Sequence, residues 1–326
     1  MLWKRWLVLA AIAVLVSCGL VSCNRVGKRT GRAGGGTYRF TMVLCGSPGN
    51  PIWTKVIGGA REAADKLGCS VDVQFAETDA VKENNIIETA ISNKVDGIGV
   101  ILNYPDAYDK SVKRAIDNGI AVIAFNIDDP NGAAGNARMA FIGQDMQAAG
   151  YIIAKRLIKD GHLKKGDFIV CPAEVPELVY AHQRYKGARK AFDEVGIRSE
   201  VLRSGDMSLE DTLNKITQYL LGHKDTAAVL GLGGMPTEMA PQAIADVGMK
   251  IPNAGFDVTR RIAESIMNGK TIGTVDQQPY LQAFLTVSQL YYHKRYGFQP
   301  CDVNTGGAVI DKSNARRVVD LADNVR

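Results

Sequence analysis

The sequence contains no apolar run long enough to cross a bilayer as a helix. Its longest uninterrupted one, residues 6–16, falls well short of the roughly 20 residues required. Cysteine is scarce, six in all, and no pair has the C-x-x-C spacing of a zinc or redox site. The four histidines, His162, His182, His223 and His293, form no H-E-x-x-H metal motif. A dinucleotide fingerprint begins with Gly231 and Gly233, but its third glycine position holds Pro236. Gly46-Ser47-Pro48-Gly49 approaches a nucleophile elbow, yet G-x-S-x-G needs glycine where Cys45 stands. These absences leave no catalytic constellation and require no metal or cofactor. They argue against an enzyme.

Excess charge is missing too. The formal net charge is +5, but residues 1–36 hold six basic residues and no acid, so the rest carries 33 Lys and Arg against 34 Asp and Glu. A near-neutral body lacks the footprint that nucleic-acid binding requires. The basic residues of the leading segment suit anionic lipid headgroups instead.

That segment reads as an address. Lys4 and Arg5 before the apolar run form an export signal, so the protein is expected to leave the cytoplasm. Leu20-Val21-Ser22-Cys23 resembles a bacterial lipobox, whose cysteine is lipidated and becomes the mature N-terminus. Leu15-Val16-Ser17-Cys18 fits the same pattern. Cys23 is preferred, because a polar, glycine-rich stretch follows it, whereas Gly19-Leu20-Val21 after Cys18 prolongs the apolar segment. Residues 1–22 are thus expected to be a signal peptide, and 23–37 a lipidated cysteine with a flexible linker.

The remaining length exceeds one typical domain, and 46% hydrophobic content suffices for two cores. From Tyr38 on, short apolar runs alternate with helical patterns, the signature of parallel β-α-β units. Expected strands are 39–44, 70–75, 97–102 and 121–125, then a second series at 167–171, 198–203, 227–232 and 250–255. Later elements are 271–275, a helix over 279–296 and a strand at 308–310. Cys45 closes the first strand and Cys69 precedes the second, so they belong at opposite ends of the sheet and no disulfide between them is expected.

In open α/β sheets, ligands sit beyond the carboxyl ends of the strands. Those positions hold Asn50 and Trp53 after the first strand, Asn103-Tyr104-Pro105, Asn126-Ile127-Asp128-Asp129, Phe256-Asp257, and Asp276-Gln277-Gln278. Amides and carboxylates pair with adjacent hydroxyls, and aromatic faces cover the C–H face of a sugar ring. The mixture suits a polyhydroxylated ligand.

At these positions the chain resembles the type I periplasmic sugar-binding proteins of ABC importers, the group that includes ribose binders. The resemblance runs from about residue 39 to 310. Its first-strand loop is Asn50-Pro51-Ile52-Trp53, its strand-end asparagines match Asn103 and Asn126, and its ligand-gripping arginine before glycine matches Arg184 in Arg184-Tyr185-Lys186-Gly187. Its Gly-Phe-Asp matches Gly255-Phe256-Asp257, and its late glutamine matches Gln277, with Gln278 not separable. Ile52 and Ile127 replace an aromatic and an arginine, and Gly231-Leu232-Gly233-Gly234-Met235 lacks a strand-end polar contact. These departures argue against ribose itself.

The resemblance implies two doubly wound, Rossmann-like α/β domains joined by three crossings, near 141–144, 275–277 and 304–307. One lobe would comprise 38–142 plus 277–304, the other 143–276 plus 305–326. A monosaccharide or related polyol would be held between them by Asn50, Trp53, Asn103, Asn126, Asp128, Arg184, Asp257 and Gln277. The implied partners are ABC permease subunits with a separate ATPase, and the membrane through a lipid anchor, with the protein monomeric in the periplasm or on the cell surface. A sensory protein presenting ligand to a membrane receptor, or a nucleoside binder, is the alternative. A repressor of the same fold would need a helix-turn-helix before residue 38, where the signal and linker stand. Fatty-acid labelling of the wild type but not of Cys23→Ala is the expected outcome; labelling that survives the substitution would remove Cys23 as the site.

Overall fold

Apolar side chains at successive positions of a strand mean that both faces of its sheet are covered. β1 (Arg39–Leu44), β3 (Gly97–Val100) and β4 (Ala121–Asn126) are buried almost throughout. Met42, Leu44, Ile123 and Phe125 enter one core, while Val43, Val100, Val122 and Ala124 enter another on the opposite face. β2 (Ser70–Phe75) instead alternates exposed with half-buried residues, as an edge strand does. The computed structural model describes residues 37–326 except 47, 49, 50, 206 and 207, so Cys23 and Asn50 lie outside the described residues.

With β5 (Ala140–Gly143) and β11 (Val303–Asn304), these strands form a six-stranded sheet in the order β11-β5-β4-β3-β1-β2. The second sheet repeats the plan. Its strands are β6 (Phe168–Ala173), β7 (Arg198–Arg203), β8 (Thr226–Leu230), β9 (Asn253–Phe256), β10 (Gly273–Asp276) and β12 (Ala308–Asp311), in the order β12-β10-β9-β8-β6-β7. Among the described residues only β12 runs antiparallel to its neighbour. In chain order the helices are α1 (Pro51–Leu67), α2 (Ala80–Ser92), α3 (Asp109–Asp117), α4 (Met146–Asp160), α5 (Val179–Asp193), α6 (Leu209–Gly222), α7 (Gly234–Asp246), α8 (Arg260–Met267) and α9 (Pro279–Tyr296). Side-chain caps fix several starts, such as Asp79 accepting from the Val81 and Lys82 N–H groups and Asp145 from Ala148.

The chain leaves the first sheet after β5, and α4 packs on α5 and β10. It returns after β10, since α9 packs on α1 and β4, and it passes once more between β11 and β12. β5 and β11 were not expected as strands; four and two residues are too few to stand out as apolar runs. The run 97–102 leaves the ladder at Val100, and Leu102 donates to the Ile127 carbonyl (3.0 Å). The run 250–255 starts only at Asn253, because Pro252 has no N–H for the ladder. Parallel register pairs Arg39 with Ser70 and Leu44 with Phe75, which places Cys45 and Cys69 at opposite ends. The four cysteines of the described residues are free.

Each lobe contains a helix crossing tight enough to require glycine. A Cβ on Gly59 of α1 would lie 2.0 Å from the Tyr280 carbonyl oxygen, and one on Gly150 of α4 would lie 2.0 Å from that of Arg184. Ala for Gly within a helix ordinarily stabilises by up to about 1 kcal/mol. Gly150→Ala is expected instead to destabilise by about 1–3 kcal/mol through overpacking, read from the denaturant midpoint. A gain in stability would refute the close crossing.

Candidate functional site

The carboxyl ends of both sheets border a cleft of about 910 Å³, within the roughly 300–1,000 Å³ of small-molecule sites. β4 ends on Asn126 (φ 64°), and Asp257 (φ 69°) follows β9. These are equivalent places in the two sheets. Both residues are left-handed, a conformation that Asn and Asp tolerate better than other side chains. Between them stands Gln277, the first residue of the return crossing. Its Oε1 accepts from Asn126 Nδ2 (2.8 Å), and its Nε2 donates to Asp257 Oδ1 (2.5 Å).

Gln282 secures this arrangement from α9. It accepts from Asn126 Nδ2 (2.9 Å) and donates to the Gln277 carbonyl (2.8 Å) and Thr305 Oγ1 (3.1 Å). Gln278 is engaged elsewhere, its N–H donating to Asp276 and its side-chain amide to the Thr305 carbonyl. Gln277 lines the cleft and Gln278 does not, which separates the two.

Trp53 and Arg184 complete the part of the lining anticipated from sequence. Trp53 is buried on α1, with Gly46 flat against its indole, and its Nε1 has no partner among the described residues. Arg184 is buried on α5, stacked over the Phe256 ring at 4.1 Å. It donates to the Leu232 carbonyl (2.8 Å) and Gln144 Oε1 (3.1 Å). Its Nε has no partner among the described residues. Two unpartnered donors thus belong to side chains that line the cleft.

Two expected residues stand apart from this lining. Asp128 is outside the lining, because Arg138 takes both its carboxylate oxygens (2.7 and 2.6 Å). Asn103 is fully buried behind the cleft and accepts from the Tyr108 hydroxyl (2.6 Å). Glu83 shares that interior; burial pushes its carboxyl up to about 8, an effect the Tyr108 hydroxyl partly offsets.

Sequence reasoning passed over Glu174 and Lys55. Glu174, just past β6, accepts from the Tyr180 hydroxyl (2.8 Å) and from the Met235 N–H (3.0 Å). A Cβ on Gly233 would lie 2.0 Å from its carboxylate. The carboxylate therefore occupies the place where the glycine-rich turn after β8 supplies no polar side chain, and burial raises its pKa. Lys55, one helical turn after Ile52, is buried and reaches across the cleft to the Val258 carbonyl (2.6 Å). Burial lowers its pKa, with Asp257 the largest opposing influence. Among the described residues, no three His, Cys, Asp or Glu side chains are grouped to hold a metal ion, and no helix is long and apolar enough to cross a membrane.

Residues 41–297 match the family described as "Periplasmic binding protein domain". A xylose/arabinose-binding protein of Sulfolobus acidocaldarius is 26% identical over 281 residues, covering 81% of this chain and 69% of that protein. The ribose import binding protein of Bacillus subtilis is 26% identical over 76% of this chain and 79% of its own length. Among solved structures, a carbohydrate transporter from Acidothermus cellulolyticus in complex with myo-inositol superposes with a TM-score of 0.80, at 26% identity, covering 88% of this chain and 99% of that one.

The carboxyl buried behind the cleft provides a test independent of any relative. Glu83 keeps its proton to about pH 8 in the folded protein, whereas in the unfolded chain it titrates near the ordinary carboxylate value. The folded state therefore binds more protons between those limits, and stability falls as pH rises through them. Glu83→Gln should flatten this slope and raise stability at pH 8, measured by chemical denaturation from pH 5 to 8. An unchanged slope would show that the carboxyl is not held protonated.

Proposed function

Because the chain belongs to the periplasmic binding protein domain family, we propose that it captures a monosaccharide or related polyol in the cleft and delivers it to the permease of an ABC importer with a separate ATPase. The observation that carries this reading is the convergence of Asn126, Gln277 and Asp257 on the cleft, beside the indole of Trp53 and the guanidinium of Arg184. Paired donors and acceptors suit vicinal hydroxyls, and the indole face suits a sugar's C–H face. The charged lining also favours an uncharged ligand. Arg260 pairs with Asp323 (2.9 Å), Arg261 with Glu238 (3.5 Å) and Arg326 with Asp276 (2.8 Å), which leaves Lys55 and Arg184 set against Glu174 and Asp257. The sugar-binding relatives support the same class.

Residues 38–142 with 277–304, and 143–276 with 305–326, are the two bodies that close on the ligand, a motion typical of periplasmic binding proteins. The work is capture and release rather than turnover. The export signal directs the chain out of the cytoplasm, and a lipid on Cys23 tethers the monomeric protein to the membrane, in the periplasm or on the cell surface.

Thermal denaturation with pentoses, hexoses, polyols and nucleosides, including D-xylose, D-ribose and myo-inositol, tests the reading. A cognate sugar at a hundred times its Kd adds about 2.7 kcal/mol, a rise of roughly 5 °C. Asp257→Ala and Arg184→Ala should each weaken its binding by about 1–3 kcal/mol. No shift across the sugars and polyols, or a shift with nucleosides alone, would sink the proposal.

A further inference from the structure

The return crossing depends on a carboxylate that the ligand set does not include. Asp276 closes β10 and is 1% exposed. One of its oxygens accepts the Gln278 N–H (2.9 Å), and the other accepts Arg326 Nη1 (2.8 Å). The same Nη1 reaches Gln278 Oε1 (3.2 Å). Among the described residues this is the one ion pair Asp276 makes, while burial and, to a smaller degree, Asp257 oppose its ionisation. A buried carboxylate deprived of its partner is strongly destabilised.

Arg326 is not on a loose end. The segment after β12 folds into short helical turns at Ala315–Arg317 and Val319–Leu321. Ala315, Val318 and Ala322 share a small core with Ile262 and Ile266 of α8, and Arg260 pairs with Asp323. This packed strap forms one wall of the cleft through Ala322, Asp323 and Arg326. Its last described contact is with the residues flanking Gln277. The turn itself is demanding, for Gln278 is left-handed (φ 60°), a conformation that side chains other than Gly, Asn and Asp adopt at a cost.

We propose that Arg326 is a positioning residue of the ligand cleft: by holding Asp276 and Gln278 on either side, it fixes the turn that aims the Gln277 amide at Asn126 and Asp257. It acts through Gln277, without any requirement that it touch the ligand. The role rests on the reading of the cleft as a sugar site, but its effect on the crossing does not depend on that reading.

The test compares Arg326→Gln, Arg326→Lys, Asp276→Asn and the Arg326→Gln/Asp276→Asn double variant. Two readouts are used: amide hydrogen exchange over residues 274–282 without ligand, and calorimetric titration with D-xylose, D-ribose and myo-inositol. Arg326→Gln should accelerate exchange in that segment and weaken binding about tenfold, and Arg326→Lys should stay within about threefold of wild type. The double variant, with no carboxylate left stranded, should recover most of both losses. Wild-type exchange and affinity in Arg326→Gln would overturn the proposal. So would a double variant as impaired as Arg326→Gln, since the strap would then act by packing alone. If none of the three sugars binds wild type, that bears against the sugar reading, and the exchange measurement still decides the role of Arg326.

Discussion

A side-chain amide accepts at one end and donates at the other, and Gln277 gives one end to each lobe. Its oxygen takes the Asn126 amide from the first sheet, and its nitrogen serves the Asp257 carboxylate of the second. Because an amide cannot reverse its ends without losing both bonds, the geometry of the crossing fixes which face of each partner is left for a ligand. Gln282 and Thr305 extend the network to the other two crossings, for Thr305 also donates its backbone N–H to the Gly143 carbonyl (2.8 Å). The crossings and the polar floor of the cleft thus share one set of hydrogen bonds. A change in the angle between the lobes must alter the polar floor of the cleft.

The internal repetition explains why the site lies where it does. Two sheets of the same strand order each present a left-handed polar residue at the end of the same strand, Asn126 after β4 and Asp257 after β9. Backbone strain of this kind persists only where surrounding structure enforces it, and it gathers at functional positions. Here the enforcing structure is the network around Gln277. The two halves differ where chemistry differs: an uncharged amide from one lobe faces a carboxylate and an arginine from the other.

Much of this was legible in the sequence, for reasons that are local. Apolar runs marked the central strands because both faces of a parallel sheet are dry, and the rule that ligands gather at strand ends pointed to Trp53, Asn126, Asp257 and Gln277, which line the cleft with Arg184, a helix residue that the resemblance supplied. The same rule named Asn103 and Asp128, which lie outside the lining. It says where a strand ends but not whether a tyrosine five residues on or an arginine ten residues on will claim the side chain. Glu174, Lys55 and Arg326 were beyond reach for the opposite reason. Their contacts, with Met235, Val258 and Asp276, join positions from 50 to 203 residues apart, and no local pattern encodes such a pairing.

The lysine that spans the cleft has one more consequence. With its ammonium buried and bonded to a carbonyl of the opposite wall, this contact keeps an ion out of water, and burial lowers its pKa accordingly. If the walls part as proposed, that ammonium returns to water. The same bond that joins the two sides thus carries a cost of its own, which a ligand's contacts would have to outweigh.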